Sequence, residues 1–198
     1  MSLNGRGAYE LNYRRHLPAD KQAPLLDIGC GSGEFLAYLE QLGYHNLRGV
    51  DINPACVDAS RRRTHAVIEH SPDLEAYLRG VRDTFALITL KSVIAHFPRN
   101  RAVAYLRAMR DALAPTGTLV VETFNASRWT GPYVLFNDLT HEWAYTEYTL
   151  KDILESAGFR VMELEGEQLP IRRLSTLLFH GTQWVWSNVL RSVYLVER

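Results

Sequence analysis

The chain has 198 residues, 46% of them apolar, which suffices for one well-buried core and is too little for two, so a single domain over 1–198 is expected. Its 22 basic residues balance 22 acidic ones, which excludes a global field drawing the protein to nucleic acid or an anionic membrane. Two cysteines, Cys30 and Cys56, cannot build a disulfide framework, and no basic and apolar leader precedes the first motif; with no apolar run near the roughly 18 residues of a spanning helix, a cytoplasmic location is expected.

In chain order, residues 1–23 form a polar and aromatic N-terminal arm, with Tyr9, Tyr13, Arg14, Arg15 and His16 ahead of Pro18, compatible with a short helix lying over the domain. From residue 24 short apolar runs alternate with segments of helical period. The pattern predicts strands at 24–28, 47–51, 66–69, 85–90 and 118–123, and helices near 33–42, 54–62, 73–80 and 100–113. The last helix carries Val103, Leu106, Met109, Ala112 and Leu113 on one stripe and must stop before Pro115 and Gly117. Such β-α-β-α order specifies a parallel sheet covered on both faces, with right-handed crossovers.

Residues 124–148 break the rhythm with a long aromatic segment holding Trp129, Tyr133, Phe136, Trp143, Tyr145 and Tyr148, read as an acceptor-side lid. A helix at 149–157 closing on Gly158 and a strand at 159–165 follow. Beyond them, apolar residues from Ile171 to Leu190 approximate a helical stripe, and Val193-Tyr194-Leu195-Val196 reads as a final strand.

The run Leu25-Leu26-Asp27-Ile28-Gly29-Cys30-Gly31-Ser32-Gly33 is a strand, a glycine turn and a helix start, an arrangement that brings backbone N–H groups and a ligand to the carboxyl edge of the sheet. The third glycine arrives one residue too early for a dinucleotide fingerprint, and Glu34 fills the expected slot. A carboxylate there suits the helix dipole and repels a pyrophosphate docked at the same N-terminus. No Gly-Lys-Ser/Thr follows, which excludes a P-loop. A phosphate-free ligand carrying sulfonium and ammonium charges fits better. Asp51 ends the second strand about twenty residues beyond the glycines, where an acid accepts both hydroxyls of a ribose, and Ile52 follows it. Asp73, before Leu74, either receives an adenine amino group or N-caps the next helix, and the two uses are compatible.

At these residues the chain resembles class I S-adenosylmethionine-dependent methyltransferases: Asp27–Gly33 matches their first motif, Gly49-Val50-Asp51 their second, and Leu113-Ala114-Pro115-Thr116-Gly117 their pre-strand Leu-x-Pro-Gly-Gly turn. The resemblance implies a Rossmann-like, doubly wound α/β fold of seven strands in the order 3-2-1-4-5-7-6. It makes 193–197 the antiparallel last strand and 166–190 an insertion before it. S-adenosylmethionine is the implied cofactor, S-adenosylhomocysteine the product, and Asp27, Gly29, Cys30, Gly31, Gly33, Asp51, Ile52, Asp73 and Leu74 the cofactor-binding set. The chain departs from many relatives at Phe85-Ala86, where they carry Phe-Asp, and at Ala95-His96, where they carry Glu-His. A narrower likeness, in Asp138-Leu139-Thr140-His141-Glu142 with Tyr145-Thr146, is to a bacterial subgroup associated with surface-polysaccharide gene clusters, which implies O-methylation of a sugar.

Methyl transfer is an in-line displacement, so the enzyme must chiefly align a nucleophile with the sulfonium and exclude water. A hydroxyl nucleophile also needs a base. His141 is the first candidate, with Glu142 or Asp138 to orient it, and His96 the second; each has a bland alternative, His141 as a tie in the lid and His96 as a packing residue. Trp129, Tyr133 and Trp143 serve either as lid core or as sugar-stacking faces. A metal-assisted mechanism wants clustered carboxylates with Asn at the ends of strands four and five, which Lys91-Ser92 and Thr123–Asn125 do not supply, so no metal is expected. Asn125-Ala126-Ser127-Arg128 lacks the pattern of a flipped-base reader, so no nucleic acid is expected. Residues 171–190, with arginines at their ends and tryptophans between, are open to core packing, acceptor capping, a subunit contact or a membrane surface.

The leading reading is an O-methyltransferase for a carbohydrate-type hydroxyl. The competing ones are a methyltransferase for a quinone-like lipid or other small molecule, a non-catalytic cofactor-binding protein, and an NAD-dependent oxidoreductase, the last opposed by the glycine spacing and Glu34.

Overall fold

The computed structural model describes residues 3–128, 131–168 and 192–197. Its strands are β1 (Leu25–Ile28), β2 (Leu47–Asp51), β3 (Val67–His70), β4 (Phe85–Lys91), β5 (Leu113–Thr123), β6 (Arg160–Gly166) and β7 (Ser192–Glu197). They form one seven-stranded sheet in the order β3-β2-β1-β4-β5-β7-β6. Strands β1 to β5 are mutually parallel, whereas β7 runs antiparallel to both β5 and β6.

Burial explains the layering. All four residues of β1 are buried, as a central parallel strand covered on both faces requires. Leu25, Leu87 and Val120 point to one face and pack with Phe35, Leu36, Tyr38 and Leu39 of α2 (Glu34–Gln41). Their neighbours Leu26, Ile88 and Leu119 point to the other face, since side chains alternate along a strand, and meet Leu106 and Met109 of α5 (Ala102–Ala112) and Leu150 and Leu154 of α7 (Glu147–Ser156). The remaining helices are α1 (Leu3–Asn12), α3 (Pro54–Arg63), α4 (Leu74–Arg79) and α6 (Gly131–Phe136). No helix of the described residues is long and apolar enough to cross a membrane.

Most boundaries shift by a residue or two from the periodicity, and the larger departures have specific causes. The α5 stripe ends at Ala112, because fully buried Leu113 already opens β5 opposite Phe85; Pro115 lies in the register shift between the partners of Phe85 and Leu87. The helix expected at 149 starts at Glu147, because Thr146 and Thr149 form a reciprocal capping box. Within 124–148 the chain forms α6 and a bridge between Asn125 and Tyr145 rather than an unbroken loop. The arm is helical in α1 and lies on α2, with Tyr9 edge-on to Phe35 at 5.1 Å and the Tyr38 hydroxyl donating to Glu10 at 2.9 Å. Trp129 and the 171–190 stretch lie outside the described residues.

Candidate active site

After β1 the chain turns through Gly29, Gly31 and Gly33 at φ +66°, +53° and +76°, in the left-handed region that favours glycine. The N–H groups of Gly29 and Cys30 both donate to the Val50 carbonyl, at 2.8 and 3.2 Å, so the loop is laid across the end of β2. The three glycines differ in what surrounds them. A Cβ at Gly29 would lie 2.2 Å from Val93 Cγ2 and one at Gly33 2.4 Å from Ser60 Oγ, whereas one at Gly31 meets nothing within 4 Å. Close packing therefore demands the outer two, and the middle one borders open space.

Asp51 stitches this loop to β2: one carboxylate oxygen accepts from Gly31 N–H and the other from Asn53 N–H, both at 2.8 Å. Each oxygen keeps a lone pair for a further donor. Ile52 is 67% exposed beside it. Asp73 is the N-cap of α4, accepting from Ala76 N–H at 3.0 Å, which realises the capping half of its two expected uses.

Asp27 is buried beneath the loop. Its Oδ1 accepts from Thr89 Oγ1 and Lys91 Nζ, both at 2.6 Å, while its Oδ2 is buried with no partner among the described residues. A buried carboxylate oxygen without a donor is costly, so the site fits a ligand that brings one, and the ammonium of a methionyl group does. Cys30 is buried, and its thiol is pushed up to about 12 by burial and then by the Asp27 and Asp51 charges, so it stays protonated and serves the loop through its backbone. Glu34 does not stand as a bare charge: Arg63 lies 3.1 Å from it and also donates to Ser32 Oγ at 2.8 Å. That pairing softens the electrostatic case against phosphate, and the glycine spacing and the orphaned Asp27 oxygen carry the weight instead.

Lys91, 4.3 Å over the Phe35 ring, also lines a cavity of about 320 Å³ with Tyr9, Asn12, Tyr13, Ser92 and Glu122. The arm thus walls a space at the carboxyl ends of β4 and β5. Tyr13 is nearly fully buried and its hydroxyl donates to Glu122; burial, then the Glu122 charge, pushes the phenol well above its ordinary value. Sequence reasoning missed Lys91, Tyr13 and Glu122. A parallel register pairing Asp27 with Thr89 was the available signal for Lys91, since it sits two residues on along the same face.

On the acceptor side, β4 ends at Lys91 and the chain bends at Ser92, a non-glycine residue at φ +56° whose N–H donates to the Glu122 carbonyl at 2.8 Å. Val93 then packs on Gly29, and a single 3-10 turn, Ile94–His96, presents His96. The Nδ1 of His96 is 3.1 Å from the Thr140 carbonyl and 3.0 Å from its hydroxyl, and the Nδ1 of His141 is 3.1 Å from the Val134 carbonyl. The two rings lie 4.7 Å apart, with Phe124 5.2 Å from His141. The residues weighed separately as first and second base are therefore neighbours. The Ala95 carbonyl holds them together by accepting from Glu142 and Trp143 N–H, at 2.8 and 3.1 Å.

Asp138 does not orient His141 directly. It accepts from Thr140 N–H at 2.8 Å and Thr140 Oγ1 at 2.6 Å, bonds that hold its carboxyl below the ordinary range, and Thr140 in turn contacts His96. Glu142 is exposed, and among the described residues its carboxylate bonds neither histidine; its backbone N–H is the part that counts. Trp143 lies under the Arg99 guanidinium at 3.9 Å, so that face is occupied. Tyr133 and Phe136 on α6 are 71% and 79% exposed. The sequence reading looked for metal donors only among carboxylates near strands four and five. Tertiary structure instead brings one donor atom each of His96, Asp138 and His141 within 4.8 Å of one another.

The Methyltransferase domain family matches residues 4–164 of this chain, from the arm through β6. The chain belongs to the S-adenosylmethionine-dependent methyltransferases. This methyltransferase is 26% identical over 177 residues to a ubiquinone biosynthesis O-methyltransferase of Cereibacter sphaeroides, a match covering 82% of this chain and 66% of that protein. It is 31% identical over 111 residues to the dTDP-3-amino-3,6-dideoxy-alpha-D-glucopyranose N,N-dimethyltransferase of Streptomyces fradiae, covering 55% of this chain and 42% of that one. The chain thus spans just under two thirds of the first relative's length and under half of the second's. In fold it is similar to a crystal structure of a S-adenosylmethionine-dependent methyltransferase from Archaeoglobus fulgidus, with a TM-score of 0.76, 21% identity, and coverage of 98% of this chain and 94% of that one. S-adenosylmethionine is the cofactor of this methyltransferase, and when bound it supplies the electrophilic methyl group.

Proposed function

We propose that this methyltransferase transfers the methyl group of S-adenosylmethionine to a hydroxyl oxygen of a carbohydrate-type acceptor docked against His96 and His141. In this reading Asp27 takes the cofactor ammonium through its orphaned oxygen, and Gly29, Cys30, Gly31 and Gly33 form the backbone cradle. Asp51 accepts the ribose hydroxyls, and Ile52, Asp73 and Leu74 flank the adenine. One observation carries the acceptor chemistry: His141 turns Nδ1 toward the Val134 carbonyl. A neutral imidazole that donates from Nδ1 keeps its lone pair on Nε2, the arrangement of a general base. The acceptor oxygen bonds to the methyl carbon as the carbon–sulfur bond breaks. The hydroxyl proton passes to His141, and the products are a methyl ether, S-adenosylhomocysteine and one released proton.

The carbohydrate class is supported by the sugar N,N-dimethyltransferase relative and by the Asp138–Glu142 likeness to the polysaccharide-associated subgroup. Exposed Tyr133 and Phe136 flank the carbonyls that anchor His141 and offer ring faces for a pyranose. A quinone-like acceptor is the second reading, favoured by the ubiquinone biosynthesis relative. Incubation with S-adenosylmethionine and panels of nucleotide sugars, glycans and hydroxylated quinone precursors, read as S-adenosylhomocysteine release and methylated product by mass spectrometry, separates the two. Turnover on sugars alone supports the proposal, and turnover on quinols alone replaces it. His141→Ala should lower kcat while leaving S-adenosylhomocysteine affinity unchanged; full activity would place the base elsewhere.

A further inference from the structure

We infer that His96, Asp138 and His141 form a binding site for a divalent transition-metal ion of the zinc, iron(II) or cobalt type at the acceptor face. One donor atom from each already lies within 4.8 Å of the others. An ion at about 2.0–2.2 Å from nitrogen and oxygen donors needs them no more than roughly 4 Å apart, so a modest closure completes the set. Asp138 is exposed, so its carboxylate can turn toward the rings without displacing core side chains.

The orientation of the histidines is the second, independent observation. A ligating imidazole ordinarily donates its other ring N–H to a carbonyl or carboxylate, which fixes the tautomer and directs the lone pair at the metal. Both histidines have such a partner: His96 Nδ1 lies 3.1 Å from the Thr140 carbonyl and 3.0 Å from its hydroxyl, and His141 Nδ1 lies 3.1 Å from the Val134 carbonyl; in the tautomer that donates from Nδ1, Nε2 carries the lone pair of each. Asp138 is steadied by the Thr140 N–H and hydroxyl through Oδ1, and among the described residues Oδ2 carries no bond. The Ala95 carbonyl, clamping Glu142 and Trp143 N–H, holds the two ligand-bearing segments in register.

Two imidazoles and one carboxylate suit zinc or iron(II)-like ions rather than magnesium or calcium, which prefer all-oxygen shells. Three protein donors leave a coordination position open. Resting on the acceptor reading above, that position takes the acceptor hydroxyl. Coordination acidifies the hydroxyl, its proton leaves to solvent, and the oxygen then forms its bond to the methyl carbon as the carbon–sulfur bond breaks. In the loaded enzyme the ion therefore takes over the activating role from His141, whose lone pair is spent on ligation.

Binding is measured without any acceptor. Chelator-stripped protein is titrated with Zn²⁺ by calorimetry and with Co²⁺ by visible absorption, and Mg²⁺ serves as a comparison. We expect one Zn²⁺ per chain, no comparable response to Mg²⁺, and a loss of at least about tenfold in Zn²⁺ affinity for each of His96→Ala, His141→Ala and Asp138→Asn. The variant Cys56→Ala binds as the parent does. S-adenosylhomocysteine affinity, unchanged in all of them, reports an intact fold. Absence of one-to-one Zn²⁺ binding, or undiminished binding by the His96→Ala, His141→Ala double variant, overturns the site. Metal binding in a protein that methylates no hydroxylated acceptor leaves the site standing and overturns only the acceptor reading.

Discussion

The glycine loop makes a prediction in which packing and ligand binding part company. Alanine at Gly31, at φ +53° with nothing near its Cβ, meets only the left-handed penalty of about 1–2 kcal/mol. Alanine at Gly33 meets the same penalty at φ +76° and, in addition, a Cβ 2.4 Å from Ser60 Oγ and 3.1 Å from Ser60 Cα. The hydroxyl can rotate aside, but the Cα belongs to α3 and must shift, which adds about 1–3 kcal/mol of overpacking for a total of about 2–5 kcal/mol. At roughly 2–4 °C per kcal/mol for a chain of this length, Gly31→Ala lowers Tm by about 2–8 °C and Gly33→Ala by about 4–20 °C. Cofactor affinity should show a disproportionate loss at Gly31. The new methyl intrudes on the open side of the loop, and calorimetry with S-adenosylhomocysteine should show at least about a tenfold loss, or 1.4 kcal/mol. If Gly31→Ala keeps full affinity, the cofactor does not use that space. If Gly33→Ala is as stable as Gly31→Ala, the close contact with α3 is not what demands glycine there.

Asp51→Ala removes the acceptor for Gly31 and Asn53 N–H together with the proposed ribose anchor, so S-adenosylhomocysteine affinity should fall about tenfold or more, at on the order of 1 kcal/mol per lost bond; unchanged affinity in calorimetry would remove Asp51 from the site. Tyr13→Phe deletes the buried donor to Glu122 and should cost about 1–3 kcal/mol in urea unfolding, and a neutral result would show that this bond does not hold the arm in place. Glu147 accepts from Ser127 Oγ at 2.8 Å and Asn125 Nδ2 at 3.0 Å; its own backbone N–H, then these bonds, hold its carboxyl below the ordinary 4.5. A depressed carboxyl stabilises the fold above its unfolded value and loses that contribution as pH falls through the folded one. The stability gap between parent and Glu147→Gln should therefore be constant at neutral pH and close progressively below about pH 5; a gap that widens in acid would contradict the clasp.

The legible parts of the sequence were those whose causes are local. The alternation of apolar runs with helical stripes specified parallel strands one to five, and the Asp27–Gly33 spacing with Asp51 pointed to a nucleoside without a phosphate. The boundaries that moved did so for tertiary reasons: Leu113 leaves the α5 stripe to enter the core beside Phe85, and Thr146 starts α7 early through a cap whose chemistry periodicity does not register. Nothing local in the arm announces that Tyr13 reaches Glu122, a residue 109 positions away.

Sequence by itself thus determined the sheet's inner strands, the glycine cradle and its acids, because strand burial, left-handed turns and a carboxylate at a strand end are each encoded within a few residues. Only the tertiary structure decided that Asp27 is bound by Lys91 through one oxygen and orphaned at the other, that Arg63 offsets Glu34, and that His96 and His141 are one cluster rather than two candidates. Those features join segments 29 to 64 residues apart, and their chemistry depends on distance and burial, which the order of residues does not contain.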